Sequence, residues 1–402
     1  MGDVLFLAHR VPYPPNRGDK IRGFHLLKHI SRHARVHLIA FADDEADCSH
    51  QAALAPFTAT CTIVRRSIGQ GRAVLTALAT GKPASLSAFR SRDVSRAVER
   101  VLAGHEVATI FAFSGQMAQY LPEGFAGQVV MDFVDMDSAK FAAYAEAARW
   151  PMRWLMCREA RLLGQFERDV ASRADASLFV STAEAAFFQA SGAGGNVFAI
   201  ENGIDTQYFN PAAAYARPEE TRRLIVFTGQ MDYRPNIDAV DRFARRILPL
   251  VRDSVPEACF TIVGRKPDPR VLALADLPGV LVTGEVADVR GWLASAAVVV
   301  APLGVARGVQ NKVLEAMAMA RPVVASPAAA EGIDHAGTIR VADGAPAFVA
   351  AVVELIGDPA GAAALGQHAR ARAVERYGWE ARLAALDPVM GFAARLSKKS
   401  AA

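Results

Sequence analysis

Short runs of apolar residues alternate with longer stretches of mixed polarity along this chain, and the alternation occurs twice. Nearly continuous apolar runs are typical of strands buried on both faces, so the pattern predicts α/β architecture with parallel sheets. The strands predicted in the first half are Val4–Ala8, Val36–Phe41, Ala59–Val64, Thr109–Ala112, Val129–Phe133, Ser177–Val180 and Val197–Ile200. Those predicted in the second half are Leu224–Thr228, Phe260–Val263, Val280–Val282, Val298–Ala301 and Val323–Ala325.

The spacing of apolar residues between these runs predicts helices over Gly23–Ser31, Arg92–Ala103 and Arg153–Arg173. At 402 residues the chain is too long for one ordinary core and suits two domains. A stretch rich in proline, alanine and charge at 210–220 has no apolar periodicity and is the expected boundary. We therefore predict an N-terminal domain over 1–209 and a C-terminal domain over 218–376.

The most informative segment lies near the end of the second half. The predicted strand at 297–301 leads into a loop containing Gly304 and Gly308, then a helix carrying Glu315, then the strand Val323–Ala325. Such a crossover places the helix N-terminus at the carboxyl end of a strand, where open α/β sheets bind anionic ligands. Arg307 and Lys312 flank the start of this helix. Cations suit a diphosphate and a carboxylate suits a sugar hydroxyl, so this segment predicts a nucleotide-sugar site.

The segment Leu-Glu-Ala-Met-Ala at 314–318, followed by Arg-Pro-Val-Val-Ala-Ser at 321–326, resembles the donor-site signature of glycosyltransferase family 4. Glu-Asn-Gly-Ile-Asp-Thr at 201–206 and Gly-Glu-Val at 284–286 are similar to two further motifs of that family. The segments 7–19 and 131–138 resemble a narrower group, the sugar transferases associated with PEP-CTERM/exosortase exopolysaccharide systems. The matching motifs occur in order over nearly the whole chain.

This resemblance implies a GT-B fold, with two Rossmann-like parallel-sheet domains facing a central cleft and a C-terminal segment, 377–402, that packs back on the first domain. It implies transfer of a sugar from a nucleotide diphosphosugar to an acceptor hydroxyl with retention of anomeric configuration. The acceptor expected from the narrower group is a lipid-linked or growing exopolysaccharide glycan. Neither a metal nor another cofactor is expected, and no Asp-x-Asp set suits a metal-dependent donor site.

The resemblance carries Glu315 over as the residue that holds the ribose of the donor. The other donor-binding candidates are Gly18, Gly229, Gly264, Arg265, Glu285, Gly308 and Asn311, and the catalytic candidates are Asp135, Arg307 and Lys312. Glu285 would contribute through the backbone beside it, which leaves the identity of the base open. Arg265 is interpreted equally well as a solvent-exposed residue.

The chain departs from the family pattern at its diphosphate-binding residues. Gln230 and Pro235 stand where the family has two cations, and Arg307 stands where it has a glutamate. Our interpretation is compensation, in which Arg307 and Lys312 supply the positive charge that positions 230 and 235 lack. The alternative is a degenerate, inactive site.

Two candidates lie in the first domain. Gly18, expected in a loop after the first strand and surrounded by Arg17, Lys20 and Arg22, fits a phosphate-binding turn or an ordinary strand-to-helix turn. Asp135 follows a strand at the position where many family members have a histidine that contacts the transferred sugar. It would stabilise positive charge at the anomeric carbon, or it and Asp137 would serve to cap the next helix.

Composition narrows the partners. The chain is 52% hydrophobic with a net charge of +4, and residues 1–110 alone carry a balance of +6. That basic half, with the Trp- and Arg-bearing stretch Trp150–Arg158, fits either peripheral contact with an anionic membrane or a solvated surface with ordinary packing. The sequence contains no basic run interleaved with aromatic residues. Nucleic acid is therefore disfavoured as a partner. We expect a cytoplasmic protein, because its four cysteines have no metal-like spacing and no signal peptide is seen. Membrane contact would place it at the inner face of the cell membrane.

Three other functions remain open at this stage. A nucleotide-sugar 2-epimerase uses the same fold, although its motifs are not seen. A protein that binds a nucleotide-sugar without transferring it is suggested by Arg307. An oxidoreductase using a dinucleotide is disfavoured, because no Gly-x-Gly-x-x-Gly follows the first strand.

Overall fold

The computed structural model describes residues 2–192, 194–219, 223–306 and 309–392, apart from the side chains of Gln70, Arg72, Ala73 and Ala147. The chain divides into two compact units. The first unit comprises Met1–Asn202 with Leu383–Ala402, and the second comprises Gly203–Arg382. Both units are α/β.

The first unit is built on a seven-stranded parallel sheet with the strand order β3-β2-β1-β4-β5-β6-β7. β1 and β2 are buried along their whole lengths, as expected of central strands covered on both faces. The strands are β1 (Asp3–Ala8), β2 (Val36–Ala42), β3 (Thr60–Arg65), β4 (Val107–Phe113), β5 (Gln128–Val134), β6 (Ala176–Phe179) and β7 (Val197–Ala199). The helices are Gly18–Ser31, Glu45–Cys48, Gln51–Leu54, Gln70–Thr80, Ala84–Ala88, Arg92–Gly104, Asp137–Ala147, Met152–Arg173, Thr182–Ala190 and Leu386–Val389, with 3-10 turns at Ala55–Phe57 and Gly115–Tyr120.

The second unit is built on a six-stranded parallel sheet with the order β10-β9-β8-β11-β12-β13. Its strands are β8 (Arg223–Thr228), β9 (Ala258–Val263), β10 (Val280–Gly284), β11 (Ala296–Ala301), β12 (Val323–Ala325) and β13 (Arg340–Val341). Its helices are Arg234–Arg242, Leu248–Ser254, Pro269–Leu272, Val289–Ser295, Asn311–Ala318, Pro327–Ala330, Gly344–Gly357, Pro359–Tyr377 and Trp379–Leu383, with a π-helical stretch at Phe243–Ile247 and a 3-10 turn at Ala273–Asp276.

Each predicted strand lies on an observed one, because a buried parallel strand is an apolar run that stands out in the sequence. β13 was missed because it is two exposed residues long. The first helix begins at Gly18, five residues before its predicted start. Its first turn contains the charged residues Asp19, Lys20 and Arg22 and therefore lacks the apolar spacing from which the helix was predicted. In the structure the chain passes from the first unit to the second after Asn202 and returns to the first unit after Arg382. The sequence predicts the domain boundary at 210–220 and the start of the returning segment at 377.

Two further features bear on the sequence predictions. All four cysteines lie in the described part of the chain, and none of them forms a disulfide. No single helix among the described residues is long and apolar enough to span a membrane. Gly344–Gly357 and Pro359–Tyr377 meet those criteria only as a pair, across a bend of 105°.

Candidate active site

In the second unit, backbone hydrogen bonds from glycines join the carboxyl ends of three adjacent strands. Gly229 follows β8 and donates to Val263 O at 3.1 Å, and Gly264 follows β9 and donates to Gly284 O at 3.0 Å. A Cβ at Gly264 would overlap the Gly229 carbonyl oxygen, so only glycine fits there. The backbone is therefore brought close together at the edge of the sheet where ligands of open α/β domains bind.

Lys312 reaches this edge from the first turn of helix Asn311–Ala318. Its Nζ donates to Asn236 Oδ1 at 2.5 Å, and Asn236 Nδ2 donates in turn to Gln230 O at 2.8 Å. A Cβ at Gly229 would stand 2.9 Å from Asn236 Nδ2 and 3.3 Å from Lys312 Nζ, so the glycine leaves room for both side chains. The predicted candidates Gly229 and Lys312 are thus direct neighbours, joined by Asn236.

The Lys312 ammonium occupies an unusually apolar position for a lysine. It lies 4.4 Å from the centroid of the Phe227 ring. Burial lowers its pKa to about 8, against the favourable charge of Glu315. A desolvated cation without a carboxylate in contact gains most from an incoming anion, because a bound phosphate restores the charge interactions lost on burial.

Glu315 is one turn further along the same helix and is partly buried. Burial raises the pKa of its carboxyl to about 7, and only the charge of Lys312 opposes the shift. Within the described residues its carboxylate makes no hydrogen bond, in contrast to Glu159 and Glu167, which are held by backbone N–H and serine hydroxyl groups. The cost of desolvating Glu315 is not offset by a described protein donor, which is expected of a group that binds hydroxyls of a ligand.

Arg265 supplies a cation close to the position where the sequence lacks one. With the Gln230 amide turned so that its oxygen faces Arg265, Arg265 Nη2 and Nε donate to that oxygen at 2.9 and 3.2 Å. Its backbone accepts from Met231 N at 3.0 Å, which fixes the turn after β9 against the turn after β8. Arg265 is therefore a candidate for the positive charge that Gln230 lacks. The sequence interpretation did not give it this role, because Arg265 is distant from Gln230 in sequence.

The remaining second-unit candidates are placed as follows. Glu285 is exposed and follows Gly284, whose φ of +69° is in the left-handed region. Asn311 is exposed and is the first residue of its helix. Arg307 and Gly308 lie outside the described residues, so the predicted sharing of charge between Arg307 and Lys312 stays a prediction.

Asp135 follows β5 in the first unit and is partly exposed. Its Oδ2 is 2.9 Å from Lys140 Nζ, which also lies 3.1 Å from Asp137 Oδ1. Neither acid caps the helix Asp137–Ala147, which has Met136 at its N-cap position and no side-chain cap bond. The capping alternative is therefore wrong, and the sequence offered no sign of Lys140 as the shared partner.

Asp132 differs from these two acids because it is fully buried. It accepts from Arg22 Nε at 2.9 Å, and Arg22 Nη1 donates to Ile200 O at 2.7 Å and Asn202 Oδ1 at 2.9 Å. The ion pair joins the first helix to β5 and to the segment after β7. Sequence reasoning missed this role because Arg22 and Asp132 are 110 residues apart.

Gly18 is the first residue of helix Gly18–Ser31, so its predicted place in a loop is wrong. Lys20 lies 2.6 Å from Asp47, and Arg17 lies 3.1 Å from Asp19. With Arg22 paired to Asp132, each cation predicted around Gly18 has an internal carboxylate partner. These pairs fix the start of the helix, and a role for Gly18 toward phosphate stays a prediction.

Comparison with known proteins fits this arrangement. Residues 222–358, which include the Gly229, Lys312 and Glu315 cluster, match the family model of group 1 glycosyl transferases. This part of the second unit is therefore similar to a group 1 glycosyltransferase domain. No curated protein sequence matches the chain.

Solved structures similar to this chain have the GT-B fold, which confirms the predicted fold class. Sucrose-phosphate synthase from Thermosynechococcus elongatus aligns over 98% of this chain and 100% of its own, with 18% identity and a TM-score of 0.61. Anabaena HepE, solved with UDP, aligns over 97% and 99%, with 15% identity and a TM-score of 0.60. A glycosyltransferase from Rickettsia africae aligns over 96% and 97%, with 11% identity and a TM-score of 0.59. The group 1 domain and this fold together support a GT-B glycosyltransferase.

Proposed function

We propose that this protein transfers a sugar from a nucleotide diphosphosugar to an acceptor hydroxyl, with retention at the anomeric carbon. The observation that carries the proposal is the pair formed by a desolvated Lys312 and an unbonded Glu315 on one helix, beside the glycine-lined strand ends of the group 1 domain. Lys312 suits the diphosphate and Glu315 suits the ribose. The acceptor proposed from the sequence resemblance is a lipid-linked or growing exopolysaccharide glycan.

The chemistry follows from which charges develop during transfer. The leaving nucleoside diphosphate gains negative charge, which Lys312, Arg265 and Arg307 would stabilise without a metal. Asp135 is the candidate group for positive charge at the anomeric carbon. A front-face displacement, in which the departing phosphate accepts the proton of the acceptor hydroxyl, requires no protein nucleophile, unlike the two-carboxylate route of retaining glycosidases.

A thermal-shift screen of UDP-, GDP-, ADP- and TDP-sugars tests the proposal. UDP-glucose belongs in the panel because HepE has also been solved with that compound. A ligand at 100 times its dissociation constant stabilises a protein by about 2.7 kcal/mol, a readily measured shift. Stabilisation by at least one nucleotide-sugar is expected, and stabilisation by none at millimolar concentration would contradict the proposal.

Replacing Lys312 with methionine should weaken nucleoside diphosphate binding far more than nucleoside binding. A charge-assisted hydrogen bond to phosphate is worth about 1.5–3 kcal/mol, roughly ten- to a hundredfold in dissociation constant. Calorimetric titration of both ligands measures this difference. Lys82→Met is the control, because Lys82 is an exposed lysine of the first unit and its replacement should leave both affinities unchanged. Equal losses for the two ligands in Lys312→Met would make Lys312 a structural residue.

Donor affinity should be greatest between pH 7 and 8 and fall on both sides. Lys312 must be protonated to bind phosphate, so affinity is lost as pH rises above its pKa of about 8. Glu315 must be ionised to accept from ribose, so affinity is lost as pH falls below its pKa of about 7. A nucleotide diphosphosugar has no phosphate that titrates in this range, which makes it the right ligand. In Lys312→Met, the loss of donor affinity above pH 8 should disappear while the loss below pH 7 remains. A wild-type donor affinity that does not change with pH would refute the roles given to Lys312 and Glu315.

Peripheral contact with an anionic membrane is proposed through the first unit. Trp150, Trp154, Met152 and Tyr144 are 83%, 55%, 50% and 60% exposed, so at least half of each of these side chains is left uncovered. Arg158 bonds to Ala77 O and Lys82 O, which places the exposed Leu75 and Leu78 on a neighbouring helix. Aromatic and aliphatic side chains among arginines fit the interface of an anionic bilayer, at the inner face of the cell membrane in a cytoplasmic protein.

Sedimentation with vesicles containing anionic lipid should therefore occur at low salt and decline as salt is raised, because exposed charges are screened within about 8 Å at physiological ionic strength. Replacing both Trp150 and Trp154 with alanine should abolish it. Leu272→Ala, a control at a 51% exposed apolar residue of the second unit, should not. Absence of sedimentation at low salt would end the proposal.

A further inference from the structure

A cluster of two histidines and one carboxylate lies in the first unit, away from the residues assigned to sugar transfer. His29 lies in the last turn of helix Gly18–Ser31, His33 follows two residues after the helix ends, and Asp387 comes from the returning C-terminal segment. That end of the helix leads into the start of β2, so it lies at the opposite edge of the sheet from Asp135, which follows the carboxyl end of β5. The proposed transfer reaction makes no use of this cluster.

The geometry of the cluster converges on one point. His29 Nε2 is 2.7 Å and His33 Nε2 is 4.0 Å from the same Asp387 oxygen, and ligand atoms of all three residues lie within 4.8 Å of one another. In a tetrahedral zinc site with bonds of about 2.0–2.2 Å, neighbouring ligand atoms are roughly 3.4 Å apart. The observed separations bracket that value, so small side-chain rotations would bring the three atoms to ligand positions.

The surroundings favour ligation by both imidazoles. The His29 side chain is only 8% exposed, so the surrounding residues hold its ring in place. The His33 ring stacks on Phe392 with centroids 4.6 Å apart and planes 14° from parallel, which fixes its orientation. The His33 and Asp387 side chains are 21% and 23% exposed, so an ion has access from solvent.

We propose that His29, His33 and Asp387 bind a divalent first-row transition ion, with Zn²⁺ as the tested ion, and that the ion fastens the C-terminal segment to the first helix. Imidazole nitrogen with one carboxylate suits Zn²⁺, Co²⁺ and Ni²⁺ and disfavours Mg²⁺ and Ca²⁺, which prefer all-oxygen ligand sets. The segment is already held by the bond from Gln128 Nε2 to Val389 O at 2.7 Å. The ion would therefore add stability to an attachment that forms without it.

A second cluster of the same composition offers an internal control. Asp3, His37 and His105 also bring three ligand atoms within 4.8 Å of one another. There, however, the His37 and His105 rings are stacked at 4.1 Å with planes 29° apart, so the two planes meet too far from the ring nitrogens for one ion to bind both. Both ring nitrogens of His37 also have protein partners already, Thr60 Oγ1 at 2.9 Å and Asp3 Oδ2 at 2.8 Å. The His29 and His33 planes are 53° apart, which allows a shared ion.

The test uses the full chain without a histidine tag, stripped with a chelator and titrated calorimetrically with Zn²⁺. One equivalent should bind, Co²⁺ should give the visible absorption of a tetrahedral site, and Zn²⁺ should slow proteolysis of the C-terminal segment. His33→Gln and Asp387→Asn should each weaken binding by at least about tenfold, the lower limit for loss of even an outer-shell partner. His105→Gln should leave binding unchanged.

The melting temperature of each variant without metal shows whether it is folded, and the two variants act on different elements. No binding to the folded wild type would overturn the proposal. Binding that survives both His33→Gln and Asp387→Asn, or that is lost in His105→Gln, would overturn it as well. Activity is not the readout, so the result stands apart from the proposed transfer reaction.

Discussion

Replacing Asp135 with asparagine should reduce turnover by about ten- to a thousandfold while nucleotide affinity stays within about twofold. Asparagine keeps the volume and most of the hydrogen-bonding capacity but removes the charge. If the carboxylate stabilises positive charge at the anomeric carbon, only the transition state loses an interaction. Turnover with the donor identified by the thermal-shift screen, together with nucleotide affinity and melting temperature, measures the effect.

The matched control is Asp137→Asn. Both acids contact Lys140 Nζ, at 2.9 and 3.1 Å, so either change removes one half of the same partly exposed ion-pair cluster. Such pairs contribute about 0–1 kcal/mol to stability. Asp137→Asn should therefore match Asp135→Asn in stability and differ from it in turnover. Equal turnover in the two variants would remove Asp135 from the site.

Glu315→Ala should weaken donor binding by about ten- to a hundredfold, because it removes charge-assisted hydrogen bonds to ribose worth roughly 1.5–3 kcal/mol. The loss should be as large for the free nucleoside as for the nucleoside diphosphate, the reverse of the Lys312 pattern. Calorimetry with a nucleoside, its diphosphate and the matching 2′,3′-dideoxynucleoside separates ribose contacts from the rest. Unchanged affinity in a folded variant would defeat the assignment.

Stability should move in the opposite direction to affinity at this residue. Because the folded protein raises the pKa of Glu315 to about 7, it holds a proton that the unfolded chain releases near the ordinary value. The carboxylate therefore lowers stability as pH rises from its unfolded pKa to about 7. Glu315→Gln should consequently melt no lower than the wild type near pH 8 while binding donor less tightly. A marked drop in melting temperature would indicate a structural role.

The sequence was sufficient for those parts of the fold that depend on local pattern. Buried parallel strands appear as apolar runs, and the segment from β11 through Glu315 to β12 is contiguous, so its order along the chain identified it. The contacts that complete the site are not local. Asn236 reaches Lys312 across 76 residues, and Arg265 reaches Gln230 from the next strand, so neither contact has a signature in spacing.

Misplaced predictions share a physical cause, which is that polar residues were assigned to solvent or ligand without their partners. The charges around Gly18, expected in a loop after the first strand, favoured a phosphate site, yet Lys20 and Arg22 pair with Asp47 and Asp132 inside the unit. Asp137 resembled a cap from its position, yet it forms an ion pair with Lys140. Pairing of distant charges is decided by tertiary structure, and one sequence does not encode it visibly.

On the proposed function, the second unit binds a nucleotide diphosphosugar and the protein transfers the sugar. Release of nucleoside diphosphate tests it most directly, measured with the best-stabilising donor and an extract of lipid-linked and soluble glycans, in the wild type and in Lys312→Met. The account predicts release that depends on the extract, with a radiolabelled sugar recovered in glycan, and a loss of at least about tenfold in Lys312→Met at low donor concentration. A donor that binds the wild type tightly but releases no diphosphate with any acceptor fraction would contradict transfer and leave a nucleotide-sugar binding protein.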